Sequence, residues 1–180
     1  DTGRWDGKDR IRALADLVPC HNPHWQELFY RWFLGMVAHW RGMDRQHGNN
    51  TSPLLVGSQG FRKSTFCRIL LPPELRFGYT DSIDFKSRQE AERSLGRFLL
   101  VNIDEFDQIS INQQGFLKHL LQKPVANLRK PYGSTIREMR RYASFIGTSN
   151  QKDLLSDPSG SRRFICIEVT GPIDTNVTIN

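Results

Sequence analysis

The sequence predicts a three-layer α/β fold with a mainly parallel sheet, helices on both faces, and a helical N-terminal region. Three observations carry this. Short apolar runs near residues 53–57, 98–104, 144–149 and 164–169, such as Pro53-Leu54-Leu55-Val56, are of the kind found in central parallel strands. Segments of helical period separate them, the order that favours a parallel sheet. A glycine-containing turn, Gly57-Ser58-Gln59-Gly60, joins the first run directly to a helix.

Taken in order, Asn22-Pro23 supplies an N-cap and a first-turn proline. Trp25, Leu28, Phe29, Trp32, Phe33, Met36 and Trp40 then recur at helical spacing, predicting a helix from Pro23 to Trp40. Residues 1–50 read as a helical lid or subdomain packed on a core of residues 51–180, with His47 to Ser52 as the connector. Pro53-Leu54-Leu55-Val56 is the first strand, and Ser64 to Leu71 a helix stopped by Pro72-Pro73. Phe77-Gly78-Tyr79-Thr80 is a weak strand candidate. Lys86 to Gly96 and Asn112 to Gln122 are helices flanking the run that ends at Asp104. The absence of an initiator Met and of a helix after the last run suggests a fragment, truncated at its C-terminus.

The segment Gly57, Ser58, Gln59, Gly60, Phe61, Arg62, Lys63, Ser64, Thr65 carries the chemistry of a phosphate-binding loop. Glycines let backbone N–H groups curl towards a polyphosphate. Lys63 is expected to reach the β- and γ-phosphates of ATP, and the Ser64 hydroxyl to ligate Mg²⁺. Arg62 stands where the pattern has its last glycine. A side chain there hinders the tight backbone path, although a guanidinium also suits a phosphate. The bland reading is a strand–helix turn with an incidental Lys-Ser.

Forty residues after Ser64, the run ending Ile103-Asp104-Glu105 has the Walker B form, an apolar strand carrying acids to the sheet edge. Asp104 is expected to organise Mg²⁺ and Glu105 to activate water. Phe145-Ile146-Gly147-Thr148-Ser149-Asn150 ends in polar groups, and Asn150 fits a sensor of the γ-phosphate. Arg162 and Arg163, on a turn before the last run, are placed to reach a neighbouring subunit's γ-phosphate as arginine fingers; surface solubility is the plain alternative.

These residues resemble the virulence-associated E family, P-loop proteins of mobile elements and phages related to superfamily 3 helicases and the helicase part of phage primases. The matching pieces are Trp5 to Ile11, the loop of Gly57 to Thr65, Ile103-Asp104-Glu105, Phe145 to Asn150 and Gly160-Ser161-Arg162-Arg163-Phe164, in family order and across nearly the whole chain. The resemblance implies an AAA+-like ATPase core, acting on single-stranded DNA, with ATP and Mg²⁺ as cofactors. It also implies a homo-oligomer, such as a hexameric ring, and a primase domain or partner. The segment from Arg129 to Arg141, with Arg129, Lys130, Arg137, Arg140 and Arg141, occupies the place of the basic hairpin that touches DNA in superfamily 3 proteins. Tyr132 or Tyr142 would add stacking; a solvated basic face is the equal alternative.

The net charge of +6 agrees with a polyanionic partner. There is no run of 18 apolar residues and no basic-plus-apolar leader, which argues against membrane insertion and secretion. Cys20, Cys67 and Cys166 lack disulfide or metal spacing, so the expectation is a reduced, cytoplasmic protein; Cys20-His21-Asn22-Pro23-His24 has no second ligand pair for zinc. The sequence thus reads as a Mg²⁺-dependent ATPase acting on DNA. A nucleotide-binding module without turnover and a P-loop small-molecule kinase are the other readings.

Overall fold

The computed structural model describes residues 6–129, 136–155 and 163–176, with 127–129, 136–137 and 154–155 described in backbone alone. The elements are α1 (Arg10–Asp16), α2 (Trp25–Arg41), β1 (Ser52–Val56), α3 (Lys63–Ile69), β2 (Tyr79–Thr80), α4 (Arg88–Arg97), β3 (Leu100–Ile103), α5 (Ile111–Gln122), β4 (Val125–Arg129), β5 (Ile136–Arg140), β6 (Ser144–Ser149) and β7 (Phe164–Glu168). Five strands form a sheet in the order β2-β3-β6-β1-β7, and every pairing in it is parallel. Strands β4 and β5 form a separate antiparallel hairpin, the form expected for the basic segment.

The register decides what meets at the sheet's carboxyl edge. Val56 lies opposite Ser149, and Ile103 opposite Gly147, so β6 is wedged between the loop-bearing strand and the strand that ends at Asp104. Its terminal Thr148, Ser149 and Asn150 therefore emerge between the loop and the acids.

Alternate side chains of each central strand enter different cores. Leu55, Leu100, Ile146 and Ile167 face one side, packed against α1, α2 and α3 through Leu14, Phe29, Trp32, Met36 and Phe66. Leu54, Val56, Val101, Ile103 and Phe145 face the other, against Leu95 of α4 and Leu117, Leu120 and Leu121 of α5. Such burial on both faces is that of central parallel strands.

Helix α2 buries Trp25, Phe29, Trp32 and Met36, spaced four, three and four residues apart. Each such burial contributes roughly 1.5–3 kcal/mol, so the helix supplies a stabilisation of the same order as a domain's whole net stability. The Trp25 indole donates to Ala15 O at 2.9 Å and that of Trp40 to Leu99 O at 3.2 Å. Helices α1 and α2, with α3, thus form one of the layers and share its core with the sheet. Helix α1 was not legible: it has seven residues, and the Asp9 side chain caps it by accepting from Arg12 N–H at 3.0 Å. At α2 the start is displaced by two residues, because the Asn22 side chain accepts from His24 N–H at 2.9 Å and the helix starts at Trp25.

His39, near the end of α2, is 2% exposed. Burial, with the nearby Arg141 and Arg140 charges and against the pull of Asp44, lowers its pKa to about 4. An unfolded chain would protonate it near pH 6.5, so between pH 6.5 and 4 the unfolded state binds the extra proton. Stability is therefore expected to fall as pH drops through that window, by up to about 3 kcal/mol, and His39→Gln should remove most of the slope. Urea midpoints at pH 7 and pH 4.5 for both proteins measure it.

Candidate functional site: a cleft at the carboxyl edge of the sheet

Gly57 follows β1 and extends its pairing, donating to Ser149 O at 3.1 Å. A Cβ there would lie 2.7 Å from Val169 O, so only glycine allows the loop to leave the sheet beside that strand. Gly60 has φ +85°, and Arg62 has φ +59°, a left-handed conformation. The loop thus follows the path of a glycine at residue 62 although an arginine occupies it. Phe61 anchors the turn on the core, and Ile173 N–H donates to its carbonyl at 3.1 Å.

Lys63 opens α3 and folds back into the loop. Its side chain is almost enclosed, the residue being 6% exposed, and its ammonium donates to Gly57 O at 2.7 Å, Ser58 O at 2.9 Å and Asn150 Oδ1 at 3.0 Å. Burial lowers its pKa, while the Asp104 and Asp107 charges oppose that shift. The contact joins the loop to the end of β6.

Ser64 Oγ donates to Asp104 Oδ1 at 2.8 Å, and the Thr148 hydroxyl donates to the same oxygen. Hydroxyl and carboxylate oxygens, with phosphate oxygens and waters to complete an octahedron, are the donor set that suits Mg²⁺. Ser64 and Asp104 are therefore the residues that would hold the ion. Glu105 follows in a left-handed turn at φ +50° that leaves its carboxylate exposed on the cleft. The cleft, of about 280 Å³, is lined by residues of the loop, Asp104, Glu105, Thr148, Ser149 and Asn150.

Three contributors escaped the sequence reading. Thr148 and Ser149 lie among the polar residues that end the Phe145 to Asn150 run, and Asp107 has no role expected from the sequence. Ser149 Oγ donates to Asp107 Oδ1 at 2.6 Å. Partial burial acts to raise the Asp107 pKa, but the hydrogen bonds from Ser149 and Gln108 outweigh it and hold the carboxyl below its ordinary range. Asp107 thereby fixes the end of β6 from behind. The legible signal was the acid three residues after Asp104, whose partner no spacing rule names.

Other expected residues lie elsewhere. Arg163 precedes β7, and its carbonyl accepts from Ser52 N–H at 2.6 Å at the start of β1. That is the opposite end of the strand from Gly57, roughly 15 Å away for a five-residue strand. Its guanidinium lies against Gln122, with Nε 3.1 Å from the amide oxygen when that oxygen faces it. It cannot serve the cleft of its own chain. Arg162, Lys130 and Tyr132 lie outside the described residues, as do the side chains of Arg129 and Arg137.

Two members of the expected DNA-contacting set are corrected. Arg141 is 1% exposed and donates to Leu120 O, Leu121 O, Lys123 O and Ala143 O at 2.6–3.0 Å. Its burial lowers its pKa to about 10, and it caps the C-terminus of α5 instead of facing solvent. Arg140 donates to Trp40 O at 2.7 Å and His39 O at 3.2 Å at the end of α2, and its guanidinium covers the Tyr142 ring at 4.9 Å. Spacing alone does not separate a basic strand end that caps helices from one that faces a channel.

Fold and site together define an α/β protein with a mainly parallel five-stranded sheet and a phosphate-loop-like turn, basic and acidic groups converging at its carboxyl edge. The chain belongs to the virulence-associated protein E-like domain family, whose family model matches residues 1–180. Among solved structures, it is similar to two apo structures of the NrS-1 C-terminal region. One gives a TM-score of 0.62 at 17% identity, covering 93% of this chain and 40% of that one. The other, an A form, gives 0.60 at 18% identity, covering 97% and 41%. At these identities the likeness is one of fold, and this chain spans about two fifths of those chains. No curated protein matches. Among the described residues no helix is long and apolar enough to cross a membrane.

Proposed function

We propose that this domain is a Mg²⁺-dependent ATPase that acts on DNA, a superfamily 3-like helicase or translocase core of a mobile-element or phage-related replication system. The observation that carries the reading is the convergence of Lys63 with Asn150 and of Ser64 with Asp104 across three different elements. Such convergence is what binding and cleaving a terminal phosphate requires, and a strand–helix turn with an incidental Lys-Ser has no need of it. Lys63 holds the β- and γ-phosphates, Ser64 and Asp104 hold Mg²⁺, Glu105 orients and deprotonates the attacking water, and Asn150 reports the γ-phosphate. When bound, Mg²⁺ neutralises charge on the leaving phosphates.

The distance of Arg163 from its own cleft supports a shared site in an oligomer, with Arg162 or Arg163 completing a neighbour's cleft. Arg163→Ala is expected to leave ATP affinity nearly intact and to reduce hydrolysis only under assembly conditions; an unchanged rate there removes the assignment. The hairpin, through Arg129, Lys130 and Arg137, is the proposed DNA contact. Equilibrium binding of ATP with single-turnover hydrolysis tests the core of the reading: Glu105→Gln should bind ATP as the parent does and lose turnover by at least about a hundredfold. Binding without turnover in the parent, with DNA present, would favour a nucleotide-binding module instead.

A further inference from the structure

We propose that Arg62 is a phosphate ligand supplied from within the loop, and that it makes the cleft prefer a nucleoside triphosphate to a diphosphate. The inference rests on the nucleotide-binding reading above. Arg62 adopts φ +59°, ψ +28°, a conformation that glycine takes freely and an L side chain takes at a cost. Among the described residues, the other non-glycine at positive φ is Glu105, which lines the same cleft. Backbone strain at two residues of one cleft is a reason to look for function there.

The state of the other cations sharpens the point. Lys63 is held by two loop carbonyls and Asn150, so it must release partners to meet a phosphate. Arg140 and Arg141 donate to carbonyls at the ends of α2 and α5, and Arg68 pairs with Asp81. Arg62 is exposed, lines the cleft, and among the described residues makes no side-chain hydrogen bond or ion pair. Its planar fork is suited to two oxygens of one phosphate, and it stands beside the lysine that meets the β- and γ-positions. Arg62 lines the cleft together with Glu105 and Asn150, the residues assigned above to the attacking water and the γ-phosphate, so its fork is proposed to meet the terminal phosphate. A diphosphate has no terminal phosphate for that fork to hold.

A merely tolerated arginine and a phosphate ligand predict opposite results for Arg62→Gly. The test is titration of Mg²⁺–ATP and Mg²⁺–ADP against the parent, Arg62→Gly, Arg62→Asn and Arg62→Lys, with thermal midpoints for each. Asparagine accepts the left-handed conformation without the charge. Glycine and asparagine should keep the parent midpoint or raise it by a few degrees, and weaken ATP at least about tenfold while ADP changes less than about threefold. Lysine should recover part of the loss. Unchanged ATP affinity in Arg62→Gly and Arg62→Asn, or equal weakening of both nucleotides, overturns the proposal. A parent that binds neither nucleotide overturns the reading beneath it, a distinct result.

Discussion

Lys63→Ala is expected to abolish measurable ATP binding while the domain stays folded. The ammonium is nearly enclosed and bridges Gly57, Ser58 and Asn150, so the variant loses both the charge that meets the phosphates and the brace that ties the loop to β6. Two charge-assisted contacts at roughly 1.5–3 kcal/mol each correspond to a loss of about 10² to 10⁴ in affinity. Calorimetric titration, with a thermal melt to verify folding, measures this. ATP affinity within threefold of the parent would show that the cleft does not use Lys63 for phosphate.

Arg141→Ala is expected to be the most destabilising of the substitutions considered, by about 3–5 kcal/mol. The guanidinium satisfies carbonyls of Leu120, Leu121, Lys123 and Ala143 in a site closed to solvent. Truncation strands buried acceptors, each worth about 1–3 kcal/mol, and opens a void. Arg141→Lys should recover little, because an ammonium cannot reproduce the spread of a planar fork. A urea midpoint close to the parent's, combined with weakened DNA binding, would return Arg141 to the role its position in the basic segment suggested.

Lys63 sits in a motif legible along the chain, whereas the setting of Arg141 depends on the packed fold. Strand positions were legible because the central runs are buried on both faces and Gly57, Asp104 and Asn150 mark where three of them end. The site was legible for the same reason, since its residues sit at strand ends of a parallel sheet. What stayed hidden depends on which groups meet across the fold. Arg140 and Arg141 share composition with a DNA-binding hairpin, yet they donate to carbonyls at the ends of α2 and α5, facts fixed only once those helices are packed. Asp107 and Ser149 are 42 residues apart and meet because β6 lies next to β3. Arg62 read as a defect in a motif, whereas its left-handed backbone keeps the loop on the path glycine would give.

A shared, DNA-stimulated ATPase site is tested by ATP hydrolysis across a range of protein concentrations, with and without single-stranded DNA and with Glu105→Gln as the blank. Turnover is expected to rise steeply with concentration and with DNA, and to vanish in Glu105→Gln. Turnover per chain that is independent of both, or a Glu105→Gln rate equal to the parent's, would contradict such a site.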